Sequence, residues 1–165
     1  MIIVVMGVTG AGKTTVGAEL AERLGWRFIE ADDFHTESAW QKMERGEALT
    51  DADRTPWLAR LNQELARVVT NGESAILACS ALKAAYRDAL TPPGLARGEM
   101  RFVYLRADRD VTARRLAGRR AHRASPHLLD SQIATLEEPG DALTLPNTLP
   151  PEEIVRRIVE AWALA

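Results

Sequence analysis

The most constraining feature of the sequence is a glycine-rich segment that directly follows a short apolar run. Residues Ile2–Met6 are all apolar, as expected of a strand that is buried on both faces. The next residues have the spacing Gly7-x-x-x-x-Gly12-Lys13-Thr14, and a helical pattern comes after them. This is the P-loop spacing, in the strand–loop–helix context that the motif requires. The segment therefore predicts a binding site for a nucleoside triphosphate.

The residues of this loop have the chemistry that a phosphate site needs. Glycine admits positive φ and lets backbone N–H groups turn toward an anion, and the following helix adds the positive end of its dipole. Lys13 supplies a mobile charge for the β- and γ-phosphates, and Thr14 supplies a hydroxyl ligand for Mg²⁺. The competing interpretation, an accidental match, is expected in roughly 0.5% of chains of this length. The predicted nucleotide-binding residues are Gly7, Thr9, Gly10, Ala11, Gly12, Lys13, Thr14 and Thr15.

Composition excludes several classes of protein. A formal net charge of −2 argues against a nucleic-acid partner or an anionic membrane surface. No apolar run approaches the ~20 residues of a membrane span. The one cysteine, Cys79, cannot form an intramolecular disulfide and is expected to be buried. We therefore expect a protein of the reducing cytoplasm, with no membrane and no nucleic acid among its partners.

Apolar runs alternate with helical patterns along all 165 residues. After Ile2–Met6, strands are predicted at 27–30, 74–79, 101–105 and 143–145. Helices are predicted at 16–24, 37–45, 56–69 with Pro56 in the first turn, 81–90, 109–118, 126–136 and from 151 onward. Strands separated by helices imply a parallel sheet covered on both faces. The expected fold is one α/β domain over residues 1–165, a three-layer P-loop nucleoside-triphosphate-binding fold with about five parallel strands and a small helical lid at about 114–136.

Acidic residues and a histidine follow the second predicted strand, at the edge of the sheet where ligands bind. A kinase acting on a hydroxyl needs a carboxylate to hold that hydroxyl near the γ-phosphate, and Asp32 is placed for this role. Glu30 or Asp33 could lie nearer the water shell of the metal. The alternative for all three is a role as turn and helix-cap acids.

Cations occur on two further segments that lead away from this edge. Arg54 directly follows Asp51-Ala52-Asp53, which indicates either a surface ion pair or a clamp for an anionic substrate. Lys83 and Arg87 are four residues apart and are expected on one face of a helix, where they either bind a ligand or face solvent.

A run of five arginines lies between the fourth strand and the helix predicted at 126–136. Nucleic-acid binding is one interpretation, but aromatic residues are absent from the run. A closing lid that brings an arginine to the transferring phosphoryl group fits a P-loop enzyme better. The members are Arg114, Arg115, Arg119, Arg120 and Arg123, with His122 among them.

Taken together, these segments resemble the gluconate kinase family, the P-loop carbohydrate kinases related to shikimate kinase. The matching stretches, in order, are MGVTGAGKTTVG, ADDFH, KMERGEALTDADRTPWL, ACSALKAAYRDAL, FVYL and HRASPHLLDSQIATLEEP. They extend from Met6 to about Pro139, and the segment after Pro139 matches poorly. The resemblance implies ATP-dependent phosphorylation of D-gluconate at its 6-hydroxyl, with Mg²⁺, and it makes a homodimer plausible.

The resemblance also implies roles for individual residues. The implied catalytic residues are Lys13, Asp32 and Arg119, and the implied sugar-acid ligands are Asp32, His35, Arg54, Lys83, Arg87 and His122. Arg115, Arg119 and His122 are assigned to the lid. There the sequence departs from the family, which has Gly-His-Phe where this chain has Ala121-His122-Arg123.

Three other functions remain as alternatives. A shikimate or nucleoside monophosphate kinase would share the architecture, although the Arg54 and Lys83 segments argue against both. A GTPase-type switch would need an Asn-Lys-x-Asp motif, which the sequence lacks. A nucleotide-binding module without catalysis is the third, and the presence of Lys13, Thr14 and Asp32 together speaks against it.

Overall fold

A computed structural model describes residues 1–96, 98–118 and 126–164 of the chain. The predictions for Arg119, His122 and Arg123 lie outside the described residues. So does most of the difference from the family's lid sequence.

The described residues contain a five-stranded sheet in which each pairing between neighbouring strands is parallel, with the order β2-β3-β1-β4-β5. In the central strand, Val4 pairs with Leu77 on one side and with Phe102 on the other. The predicted fold class is confirmed. The strands are β1 (Ile2–Met6), β2 (Arg27–Glu30), β3 (Ala75–Ala78), β4 (Met100–Arg106) and β5 (Leu143–Pro146).

Helices cover both faces of this sheet. Every residue of β1 and β3 is buried, and since successive strand residues point to opposite faces, neither face of the sheet centre meets solvent. Helix α1 packs on β3 and beside α7, and α3 packs beside α4. The helices are α1 (Lys13–Leu24), α2 (Glu37–Glu44), α3 (Asp51–Thr70), α4 (Ala84–Leu90), α5 (Arg109–Ala117), α6 (Pro126–Thr135) and α7 (Pro151–Trp162), and a 3₁₀ helix spans Ala31–Phe34.

Two predicted helix starts are wrong. Helix α3 begins at Asp51, five residues before Pro56, because Thr50 and Asp53 form a capping box in which each side chain accepts a hydrogen bond from the other residue's backbone N–H. Pro56 therefore lies inside the helix and not in its first turn. Helix α4 begins at Ala84 and not at Ala81, since Ala81 has φ of +45° and cannot continue into a right-handed helix.

No helix within the described ranges is long and apolar enough to cross a lipid bilayer. Cys79 is buried, as expected, and burial raises the pKa of its thiol to about 12.

Candidate active site

The P-loop connects β1 to α1, and its backbone takes conformations that glycine favours. Gly7 has φ of +146°, and a Cβ at this position would lie 2.8 Å from the carbonyl oxygen of Leu105 in the neighbouring strand. Gly12, with φ of +104°, is the N-cap of α1, and no side chain caps the helix there. The first N–H groups of α1 are therefore not taken by a capping side chain and can bind an anion.

Two side chains of α1 carry the polar chemistry of the loop. Lys13 Nζ donates a hydrogen bond to the carbonyl oxygen of Val8 over 3.0 Å, which holds the ammonium group across the loop. The hydroxyl of Thr14 donates to Oε2 of Glu30 at 2.7 Å. Burial raises the pKa of Glu30, and the hydrogen bond from Thr14 partly offsets this effect. This hydrogen-bonded hydroxyl and carboxylate offer neighbouring oxygen atoms, which are the ligands that Mg²⁺ prefers.

A cavity beside the P-loop brings together four residues from separate parts of the chain. Lys13, Asp32, His35 and Arg54 all line it. The side chain of Asp32 stands on the 3₁₀ helix that follows β2 and is 63% exposed. The carboxylate of Asp32 and the ammonium group of Lys13 therefore face one space. Its other lining residues are Thr9, Trp40, Met43, Leu49, Trp57, Ser80, Leu128 and Gln132.

His35 forms part of an aromatic wall of this cavity. Its ring stacks on Trp57 with centroids 4.5 Å apart and an interplanar angle of 13°, and meets the edge of Trp40 at 5.7 Å. Burial lowers the pKa of the imidazole below its ordinary value, although nearby Asp32 opposes the shift. Within the described residues, Nδ1 is buried without a hydrogen-bond partner. The burial of the ring therefore favours its neutral form.

The Arg54 guanidinium forms hydrogen bonds with neutral groups and not with the acids that precede it in the sequence. It donates to the carbonyl oxygen of Leu49 and, over 3.3 Å, to the hydroxyl of Tyr86. Asp53 instead pairs with Lys42 at 2.7 Å. No neighbouring carboxylate therefore forms an ion pair with the Arg54 guanidinium among the described residues, so it can attract an anionic ligand.

Lys83 and Arg87 are not among the residues that line this cavity. The sequence predicts Lys83 within a helix, but in the structure it is the N-cap of α4. Its Nζ forms an ion pair with Asp51 at 3.1 Å. Arg87 donates to the carbonyl oxygens of Ala81 and Glu137, each over 3.0 Å. Lys83 therefore connects the start of α4 to α3, and Arg87 connects α4 to the segment after α6. Their role in substrate binding stays a prediction.

A second cavity lies on the other side of the P-loop and was not found from the sequence. Arg115 of α5 approaches Gly12 here, and Leu149 and Pro151 come from the segment that leads into α7. Asn147, which is fully buried, fixes this segment: its Oδ1 accepts from the N–H of Asp108, and its Nδ2 donates to the Thr112 hydroxyl, each over 2.9 Å. Residues 147–154 match no sequence motif. They line this cavity only because the sheet brings the end of β5 close to the P-loop.

Several known proteins are similar to this chain in sequence. A family described as an AAA domain matches residues 2–139. The gluconokinase of Gluconobacter oxydans is 48% identical over 139 residues, which cover 84% of this chain and 76% of that protein. The thermoresistant gluconokinase of Escherichia coli is 37% identical over 163 residues, covering 96% and 91%. The chain belongs to the gluconokinase family.

The crystal structure of a gluconokinase from Sinorhizobium meliloti has the same fold. Its TM-score is 0.84 at 40% identity, with 98% of this chain and 90% of that chain covered. The resemblance drawn from the motifs is thereby confirmed. The alternatives of a shikimate or nucleoside monophosphate kinase and of a nucleotide-binding module without catalysis are not favoured for a chain of the gluconokinase family.

One contact in this gluconokinase-family site was missed by the sequence interpretation. The backbone N–H of Thr9 in the P-loop donates to Oε1 of Gln132 on α6, over 2.6 Å. Gln132 lies within the quoted stretch HRASPHLLDSQIATLEEP, but nothing in its local pattern distinguishes it from a solvent-facing helix residue. The two partners are 123 positions apart in the sequence, so the contact cannot be inferred from a local pattern.

Proposed function

We propose that this chain transfers the γ-phosphoryl group of ATP to the 6-hydroxyl of D-gluconate, giving 6-phospho-D-gluconate and ADP. The observation that carries the proposal is the cavity that Lys13, Asp32 and Arg54 line together. A phosphate-binding cation, a carboxylate for a hydroxyl, and a cation for a carboxylate are the three groups that this reaction requires.

On the phosphate side, Lys13 and the first N–H groups of α1 bind the β- and γ-phosphates. Thr14 would hold Mg²⁺, with the Glu30 carboxylate oriented beside it by their mutual hydrogen bond. When bound, the ion neutralises charge on the phosphate oxygens. We assign the nucleoside of ATP to the neighbouring cavity, because Arg115 and Pro151 line it together with Gly12 of the P-loop.

On the acceptor side, Asp32 accepts the hydrogen bond of the 6-hydroxyl and takes its proton as the new P–O bond forms. Arg54 binds the carboxylate at the other end of the sugar acid. The stacked rings of His35 and Trp57 line the part of the cavity that the carbon chain would enter. The resemblance assigns a catalytic role to Arg119 and a substrate-binding role to His122, and both residues lie outside the described part of the chain.

A coupled assay with ATP and a panel of acceptors tests the reaction. We expect turnover with gluconate and little with glucose, shikimate or nucleoside monophosphates, since a buried cation facing an uncharged substrate is left unpaired. Comparable rates on glucose and gluconate would overturn the sugar-acid assignment and leave the kinase assignment standing.

Asp32→Asn tests the acceptor role, with Asp33→Asn as its matched control. Asp33 is an exposed neighbour on the same 3₁₀ helix and is not among the residues lining the cavity. We expect Asp32→Asn to lower kcat by about 10²- to 10⁴-fold with KM for ATP little changed, and Asp33→Asn to remain close to wild type. Equal losses in the two variants would contradict the assignment.

The proposal also includes a location and an assembly. Residues 1–165 act as one kinase domain in the cytoplasm, where ATP is supplied, and two copies form a homodimer. Light scattering of the purified chain measures the assembly, and a monomer at assay concentration would contradict this part of the proposal.

A further inference from the structure

The contact between Gln132 and the P-loop places an amide side chain inside the reaction cavity. Gln132 and its partner Thr9 both line the cavity that also contains Lys13 and Asp32. Of the two α6 residues that line it, Leu128 is apolar and Gln132 is polar. Among the α6 side chains that the structure describes, Gln132 therefore offers an amide group to this cavity.

The orientation of this amide follows from its partner. A backbone N–H can only donate, so the atom of Gln132 that faces Thr9 is the carbonyl oxygen, and the NH₂ group lies on the other side of the planar amide. In the described part of the chain, Nε2 has no hydrogen-bond partner, and the residue is half-buried. Two N–H donors are therefore left for a ligand in the cavity.

Helix α6 holds this side chain firmly. Leu129 is 3% exposed and belongs to the hydrophobic core. Just beyond the helix, the N–H of Glu137 donates to the carbonyl oxygen of Leu82 at 2.8 Å, and the Glu137 carboxylate accepts from the N–H of Ala84 at 2.7 Å. A side chain on an element fixed in this way can position a ligand, because little conformational freedom is lost on binding.

We propose that Gln132 is a substrate-binding residue that aligns the sugar acid with the P-loop. Its NH₂ group donates to an oxygen of the sugar acid, while its carbonyl oxygen holds the Thr9 N–H. The acceptor is thereby tied through one rigid amide to the loop that holds the transferring phosphate. This inference rests on the proposed function.

The electrostatics of the cavity favour a neutral donor at this position. The site receives the phosphates of ATP and the carboxylate of the sugar acid, both of which are anions. An amide donates hydrogen bonds without adding a charge, whereas a carboxylate in its place would repel both ligands. The hydroxyl-rich chain of gluconate also needs partners along its length if it is to leave water.

Two substitutions separate the two hydrogen bonds. Gln132→Glu keeps an oxygen for the Thr9 N–H but removes the donors, and Gln132→Met removes both hydrogen bonds at similar volume. Gln63→Met, an exposed position on α3, is the control for the chemical change. For each protein we would measure kcat, KM for gluconate, KM for ATP and Tm.

We expect both Gln132 variants to lower kcat/KM for gluconate by about 10- to 100-fold, with Gln63→Met close to wild type. KM for ATP should change less than about threefold in the neutral variant Gln132→Met, whereas the added charge of Gln132→Glu should raise KM for both ligands. Normal kinetics of Gln132→Glu would overturn the proposal, because the Thr9 contact alone would then account for the residue. Normal kinetics of Gln132→Met, or equal effects of Gln132→Met on ATP and gluconate, would overturn it as well.

Wild-type activity is read first. If the wild type does not phosphorylate gluconate, the proposed function fails and this inference fails with it. If it does, the difference in kcat/KM between the Gln132 variants and Gln63→Met tests the role of Gln132 independently of the proposed function.

Discussion

At the scale of single residues, two arginines that the sequence presents as equivalent have different surroundings. Arg54 lines the reaction cavity, whereas the Arg87 guanidinium is engaged by the carbonyl oxygens of Ala81, Leu82 and Glu137. These carbonyls belong to two loops that meet beside α4. The contacts of Arg87 therefore support a structural role, in contrast to the ligand role that the family resemblance implies.

Alanine substitutions distinguish these roles. Arg54→Ala should raise KM for gluconate by about tenfold or more, since a charged hydrogen bond to the substrate is lost, with a smaller effect on ATP. Arg87→Ala should lower the free energy of unfolding by about 1–3 kcal/mol and leave KM for gluconate within about threefold. Steady-state kinetics and urea unfolding measure the two effects. A rise in KM as large for Arg87→Ala as for Arg54→Ala would support the ligand role of Arg87.

At the scale of elements, the start of α3 decides where Arg54 stands. Thr50 and Asp53 form the capping box, and Lys42 of α2 binds the Asp53 carboxylate through two hydrogen bonds of 2.7 and 2.9 Å. The hydrogen bonds from Lys42, followed by those from Thr50, lower the pKa of Asp53 to about 2. The capping box of α3 is therefore also an ion-pair contact between α2 and α3, next to the position of Arg54.

Thr50→Ala should lower the free energy of unfolding by about 1 kcal/mol, because a backbone N–H at the helix start loses its acceptor. Thr55→Ala is the control: its hydroxyl donates to a carbonyl oxygen of the same helix, and its loss should cost less. Urea unfolding at pH 7 measures both. Equal costs at the two positions would contradict a capping role.

The same cap predicts a direction of pH dependence. The folded pKa of Asp53 lies below its ordinary value of 3.8, so its contribution to stability is present above about pH 3.8. That contribution is lost as the pH falls from about 3.8 toward 2, where the folded protein takes up the proton. Asp53→Asn should therefore show a shallower loss of stability over this interval than the wild type.

At the scale of the whole molecule, the strand order creates the cleft. The central strand β1 has β3 on one side and β4 on the other, so the chain crosses over β1 between β3 and β4. Ligands of open parallel sheets bind at the carboxyl ends of strands where the order reverses in this way. The P-loop after β1 and the segment after β3 meet at this place, and Lys13 and Ser80 line the same cavity.

Ligand binding should therefore stabilise the whole fold. A non-hydrolysable ATP analogue at about 100 times its Kd should add about 2.7 kcal/mol and raise Tm by about 5–10 °C. Lys13→Ala should lose most of this shift at the same concentration, because the phosphates lose a fixed positive charge. Lys42→Ala, which removes a cation paired with Asp53, should keep it. Thermal scans with and without the analogue measure the shift, and an unchanged shift in Lys13→Ala would contradict the assignment of the loop.

Much of the fold could be predicted because its signals are local. The predicted bounds of β1 and β2 are the bounds that the two strands have in the structure. The helix starts were harder, since a proline is tolerated at the first turn and so suggested Pro56 as the start of α3. The actual start depends on the Thr50–Asp53 cap, which Lys42 reinforces from another helix.

The sequence by itself determined the class of chemistry. The P-loop glycines, Lys13 and Thr14 lie within one short segment, so their geometry follows from a single loop and the helix that begins after it. The family motifs are local in the same way. The tertiary structure decided which distant groups share the reaction cavity: Arg54 but not Arg87, and Gln132 against Thr9. The physical reason is that the partners of a long polar side chain are whichever donors and acceptors the packed elements bring within about 3 Å. That proximity is set by strand order and helix packing, which no short segment of the chain encodes alone.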